Sequence, residues 1–188
     1  MRADVRQNRA ALVDAGWRMI ADKGPEVSLR SVAAEAGVGI ATLYRHFPTR
    51  EDLVTGVVKE MVDRILAVFD EHADGWGTAQ DAEQTWHAIA HGVADLRVGE
   101  VALGTIAVVP EGGKVWTETS DDRARFAVAY GQLLDTAASY GLVSEDLTAW
   151  RFHLGLAALS RPLAERAEEF APDQAGWMVD VFLRGLRP

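Results

Sequence analysis

Helix-breaking residues divide the first fifty positions into three short compartments. Gly24-Pro25, Gly37 and Pro48 mark their ends. Proline has no backbone N–H and cannot continue a helix, and glycine takes left-handed turn conformations that other residues avoid. Ahead of the first break, Val5, Ala10, Val13, Trp17 and Ile20 recur near the helical period, predicting a helix over residues 5–23. Ser28 is placed to cap a second, short helix to Ala36 that buries Leu29, Val32 and Ala33. A third helix follows over residues 40–46. Ala33 and Gly37 are small where the two short helices must approach, and Val38 and Leu43 fill the wedge between them. Two short helices joined by a glycine turn and held against a longer one form a helix-turn-helix.

Helical patterning continues through the remaining residues. Thr49, three residues before Asp52, predicts a capping box that opens a long helix over 49–72. Its apolar positions Leu53, Val57, Met61, Ile65 and Phe69 repeat every four residues. A loop is expected over 74–78, and then a fifth helix over 81–96 carrying Trp86, Ile89, Val93 and Leu96. A short sixth helix is expected over 100–109, where the valine-rich run 101–109 is also the sole strand candidate, interrupted by Gly104. Pro110, Gly112 and Gly113 make a break. A seventh helix runs over 119–140, an eighth starts at Ser144 and stops or kinks near Pro162, and a ninth has Pro172 just inside its start and reaches Leu186. The expected fold is all-α with about nine helices. It divides into a helix-turn-helix domain, 1–48, and a larger helical domain, 49–188, with the 49–72 helix connecting them.

Composition excludes several classes. No cysteine is present among the 188 residues, which removes disulfides, thiolate catalysis and sulfur-based zinc sites. No HExxH, phosphate loop or nucleophile elbow occurs, so neither an enzyme nor a bound cofactor is expected. No stretch approaches the roughly 18 apolar residues of a membrane span, and no signal-peptide core follows the N-terminus. A cytoplasmic protein without a membrane partner is the expectation. The net charge of -9 argues against nucleic acid until its distribution is considered. Residues 1–50 hold eight basic against five acidic side chains, and residues 51–188 hold eleven against twenty-three. A basic head on an acidic body suits a nucleic-acid-binding tip.

The head resembles that of the TetR family of bacterial regulators. The matching residues are Val32-Ala33, Ala36-Gly37-Val38, Ala41-Thr42-Leu43-Tyr44, His46-Phe47-Pro48 and Arg50-Glu51-Asp52-Leu53, within about residues 9–55. The resemblance implies a dimer that binds a palindromic duplex DNA operator, represses transcription and is released by a small apolar or aromatic effector. Thr42 and Arg45 would be base readers. Tyr44 and His46 would contact phosphates, with Ser28, Arg30, Thr49 and Arg50 holding the backbone at helix starts. The chain departs from the family pattern at Gly39, which replaces a capping serine, and at Ile40, which would offer an apolar contact such as one to a thymine methyl.

For the body, the resemblance implies that the last two helices form a four-helix bundle with a partner. Leu154, Gly155, Ala158 and Pro162 on the eighth helix, with Trp177 and Val181 on the ninth, are the candidate contacts. Which strip of the eighth helix faces the partner stays open. Candidate effector contacts are the aromatic residues Trp86, Trp116, Phe126, Tyr130 and Trp150, with polar His87, His91 and His153 beside them. His87 and His91 stand one helical turn apart, a spacing that can hold a metal, but no acidic third ligand follows at a fixed spacing. No metal is expected there. Capped histidines and ligand-facing donors are the competing readings. The alternative function is a helical small-molecule-binding or adaptor protein that does not bind DNA specifically, which Gly39, Ile40 and the acidic total charge favour.

Overall fold

The computed structural model describes residues 2–23, 26–99, 112–159 and 169–188, and among them the chain is helical without strands. Nine helices are present among these residues: α1 (Arg2–Lys23), α2 (Leu29–Glu35), α3 (Ile40–His46), α4 (Arg50–Glu71), α5 (Ala79–Asp95), α6 (Lys114–Glu118), α7 (Ser120–Ser139), α8 (Ala149–Leu159) and α9 (Gln174–Gly185). The expected helix over 100–109, the valine-rich run and Pro162 lie outside the described residues.

Two compact units are distinguishable, with boundaries inside α4 at Val62/Asp63 and inside α7 at Asp122/Arg123. The first holds α1, α2, α3, the start of α4 and α6. Its core comprises Leu12, Val13, Trp17 and Ile20 of α1, Val32 and Ala33 of α2, Leu43 and Phe47, and Leu53 and Val57 of α4. Val5 and Ala10 are exposed, so the buried face of α1 starts later than the periodicity predicts. Phe47 is seated where α4 lacks a side chain, since a Cβ on Gly56 would lie 2.9 Å from its ring. The Arg9 guanidinium lies 5.2 Å from the centre of that ring.

The second unit holds the rest of α4, α5, most of α7, α8 and α9. Helices α5, α8 and α9 pack mutually and bury Trp86, Ile89, Val93, Phe152, Leu156, Val179 and Leu183. Burying a side chain of this size contributes roughly 1.5–3 kcal/mol, so these contacts rather than intrinsic propensity hold the helices together. Helix α5 begins at a complete Thr78/Asp81 capping box, two residues earlier than expected.

Three boundaries differ from the sequence reading. Helix α8 starts at Ala149 rather than Ser144, because the Ser144 hydroxyl bonds the Asp146 carboxylate within the loop and Thr148 accepts from the Arg151 N–H instead. Helix α9 starts beyond Pro172, after Asp173 takes a left-handed conformation at φ 57°. Helix α6 is a single short element that the sequence reading left as a break.

Candidate functional site

The turn between α2 and α3 is built from hydrogen bonds that each end of a helix otherwise lacks. The Ser28 hydroxyl accepts from the Ser31 N–H at 3.1 Å, capping α2 at its start. At its end Gly37 takes φ +68°, its N–H reaches the Ala34 carbonyl, and the Val38 N–H reaches the Ala33 carbonyl at 3.0 Å. This pair of bonds is a Schellman closure, and glycine supplies the left-handed residue it needs without steric cost. The Gly39 carbonyl then accepts from the Thr42 and Leu43 N–H groups to open α3, with no side-chain cap.

Helix α3 is anchored by one fully buried side chain, Leu43, and Phe47 closes it. Its other side is open. Tyr44 is 51% exposed and Arg45 is exposed, while Ile40, Thr42 and His46 are half-buried. Arg45 lies along the helix, its Nε donating to the Ala41 carbonyl at 3.2 Å and its Nη2 to the Thr42 hydroxyl at 3.3 Å. The two expected base readers are therefore coupled, and both remain reachable from outside.

The flanking helix starts are more occupied. Thr49 and Asp52 form the expected reciprocal cap: the Thr49 N–H and hydroxyl donate to the Asp52 carboxylate, and the Asp52 N–H donates back to the hydroxyl. Both Thr49 donors thus point at a carboxylate. Lys114 of α6 adds an ion pair to the other Asp52 oxygen at 2.6 Å. The ammonium contact first, and then the Thr49 hydroxyl, hold the Asp52 carboxyl below the usual carboxylate range. Arg50 pairs with Glu26 at 2.5 Å, and Arg18 with Glu35 at 3.2 Å. Such exposed pairs contribute little stability. They do offset two acidic side chains, Glu26 ahead of α2 and Glu35 at its last residue. Arg30 is exposed.

In the second unit, five of the expected effector contacts form one aromatic cluster, four of them buried. Trp86 stacks on Phe152 at 4.8 Å, and Phe126 packs against Tyr130, Trp150 and His153. Trp86, Phe126, Tyr130 and His153 are buried, whereas Trp150 is partly exposed at the cluster's edge. The Tyr130 hydroxyl and His153 Nδ1 lie 3.0 Å apart. Burial pushes the His153 imidazole down to about 4 and the Tyr130 phenol upward, so both are neutral near pH 7 and share one hydrogen bond. The Trp86 indole Nε1, also buried, has no hydrogen-bond partner among the described residues. An orphaned buried donor costs roughly 1–3 kcal/mol. Trp116 lies on α6 in the first unit.

His87 and His91 turn to a different partner. Both ring nitrogens meet one carboxylate oxygen of Asp180 on α9, His91 Nε2 at 2.8 Å and His87 Nδ1 at 3.2 Å. The hydrogen bond from His91, with a smaller one from His87 and against burial, which raises it, lowers the Asp180 carboxyl from its ordinary value. Asp180 was not legible as a site residue, because it stands 89 residues beyond His91.

On α8, Leu154 and Ala158 are exposed in the same row as Trp150. Gly155 faces inward: a Cβ there would lie 2.4 Å from the Phe182 ring of α9. Its small size admits an aromatic of its own chain, which corrects the expectation that it admits a partner helix. On α9, Trp177 is 54% and Val181 38% exposed, four residues apart.

The sequence profile of the "Bacterial regulatory proteins, tetR family" matches residues 12–57, the segment from α1 into α4. HTH-type transcriptional regulators of Staphylococcus aureus, strains USA300 and NCTC 8325 among them, are 29% identical over 85 residues, which is 45% of this chain. The aligned part spans about half (46%) of the length of those curated relatives. A TetR transcriptional regulator from Streptomyces coelicolor is similar in structure, with 28% identity, a TM-score of 0.62 and coverage of 96% of this chain and 98% of its own. The fold is also that of the TetR-like regulator LfrR from Mycobacterium smegmatis, solved in complex with proflavine, at 21% identity, TM-score 0.67 and coverage of 96% and 95%. With the glycine turn and the open α3, these likenesses show that residues 12–57 carry the pattern of the tetR family of bacterial regulatory proteins and that the chain shares the fold of TetR regulators.

Proposed function

We propose that this chain is a ligand-responsive repressor that binds a palindromic duplex operator as a dimer. The observation that carries this reading is α3, fixed from behind by Leu43 and the Gly37 turn while Tyr44 and Arg45 stay open to solvent. A helix presented this way fits a major groove, where a guanidinium can reach the acceptors of guanine and a phenol can hold a phosphate. Residues 1–48 act as the DNA-binding domain and 49–188 as the effector and dimer domain. In this role Thr42 and Arg45 read bases, Ile40 adds apolar contact, and Tyr44, His46, Ser28, Arg30, Thr49 and Arg50 set the register on the phosphates. Arg50 then exchanges or shares Glu26, and the Thr49 hydroxyl turns from Asp52.

One head makes too few phosphate contacts for tight binding, so two heads must read successive turns roughly 34–36 Å apart. Among the described residues, Leu154 and Ala158 on α8, in the same row as Trp150, and Trp177 and Val181 on α9 are exposed apolar positions, and these four form the partner-facing surface. The effector is an aromatic or apolar molecule carrying a hydrogen-bond acceptor, taken by the Trp86 cluster, whose orphaned indole N–H supports that chemistry. The proflavine held by the LfrR neighbour is of the same class. No catalytic step is assigned to the chain.

Selection of bound duplexes from a randomised pool tests the reading. The full chain should enrich an inverted repeat whose half-sites are centred about one helical turn, 10–10.5 base pairs, or a multiple of it apart. Enrichment of no common sequence would favour a protein that binds a small molecule without reading DNA.

A further inference from the structure

His87, His91 and Asp180 place three metal-ligating atoms within 4.8 Å of one another, and we propose that they form a binding site for a first-row divalent transition metal such as Zn²⁺. The two imidazoles sit at i and i+4 on α5, and their ring planes are inclined by only 23°, so both present a nitrogen to the same side of the helix. The carboxylate arrives from α9. An ordinary helix-to-helix hydrogen bond needs one donor and one acceptor. Here two nitrogens converge on a single oxygen, which is how a set of ligands looks around a common point.

The dimensions suit such an ion. Ligand atoms about 2.0–2.1 Å from a tetrahedral Zn²⁺ stand about 3.3 Å from each other. The carboxylate oxygen already lies 2.8 and 3.2 Å from the two nitrogens. Small rotations of the side chains bring all three onto one ion, and these side chains are free to make them, because each is between 31% and 46% exposed. The same exposure leaves a fourth position for water. Two imidazoles and one carboxylate favour zinc, nickel or copper over magnesium or calcium, which prefer sites made of oxygen. The acidic body raises the local concentration of any cation. The bound ion would tie α5 to α9 more firmly than the hydrogen bonds do, and it needs neither the DNA surface nor the aromatic cluster.

Titration of the untagged full chain with ZnCl2 in a calorimeter tests the site. One saturable site per chain is expected, with Co²⁺ giving the visible absorption of a four-coordinate centre and Mg²⁺ giving no saturable heat. His91→Gln and Asp180→Asn should each weaken Zn²⁺ binding at least tenfold, and the double variant H87Q/H91Q should abolish it. His72→Gln should leave the affinity unchanged. Asp180→Asn keeps an oxygen to accept from both imidazoles, so far-UV circular dichroism should show it folded. For the wild type, ZnCl2 should raise the melting temperature. Zn²⁺ binding that survives intact in H87Q/H91Q, or a wild-type melting temperature indifferent to ZnCl2, would overturn the proposal.

Discussion

Lowering the pH from 7.5 to 5.0 places a proton demand on His153 that the folded chain is built to refuse. The imidazole is 1% exposed, surrounded by Phe126, Tyr130 and Trp150, with its Nδ1 hydrogen-bonded to the Tyr130 hydroxyl. Burial holds its folded value at about 4 against 6.5 for the free side chain. Between those values the unfolded chain binds the proton and the folded chain does not. The stabilisation from keeping His153 neutral is therefore complete above pH 6.5 and is lost as pH falls toward 4. At about 1.4 kcal/mol per unit, the full loss is about 3 kcal/mol, of which about 2 kcal/mol has gone by pH 5. Carboxylates begin to titrate in the same window, so the informative quantity is a difference between proteins. Urea unfolding of the wild type and His153→Gln, at equal protein concentration because any self-association contributes to apparent stability, isolates it. The variant will be less stable at pH 7.5 through lost packing, but it should lose about 2 kcal/mol less than the wild type on going to pH 5. Parallel losses in the two proteins would refute the neutral, buried imidazole.

Replacement of Gly37 by alanine forces a Cβ into the left-handed region at φ +68° and should cost about 1 kcal/mol in urea titrations, with a larger loss of operator affinity because α3 is set by that turn. Ser28→Ala removes the acceptor for the Ser31 N–H and should cost about 1 kcal/mol of stability, measured the same way. Trp177→Asp with Val181→Asp places two charges on the uncovered face of α9. If the proposed dimer forms through this face, sedimentation velocity should report a dimer for the wild type and a monomer for the variant, and a dimer in both would move the interface elsewhere.

What the sequence exposed was local. Gly37, the Ser28 cap and the Thr49/Asp52 box each act within four residues, and all three stand as expected. The stripe of α4 is likewise set by its own spacing, and Leu53, Val57, Met61 and Ile65 are all buried. Capping signals misled where several compete: Ser144 was the first hydroxyl after Gly141, yet its side chain is satisfied by Asp146 and the helix waits for Thr148. Pairings across the chain were not legible. Nothing near His91 announces Asp180, nothing near Asp52 announces Lys114, and the inward face of Gly155 depends on Phe182. Composition shows how many aromatic side chains there are, but only packing decides which meet.

Fluorescence anisotropy of the full chain on a selected operator, across a salt series, tests most directly whether α3 enters a major groove. The account predicts that log affinity falls linearly with log salt for the wild type. Tyr44→Phe should weaken binding to all sequences alike, and Arg45→Ala should cost about 1–3 kcal/mol and relax the preference at one base position in each half-site. Affinity that ignores salt, or that is unmoved by Arg45→Ala and Tyr44→Phe together, would contradict it.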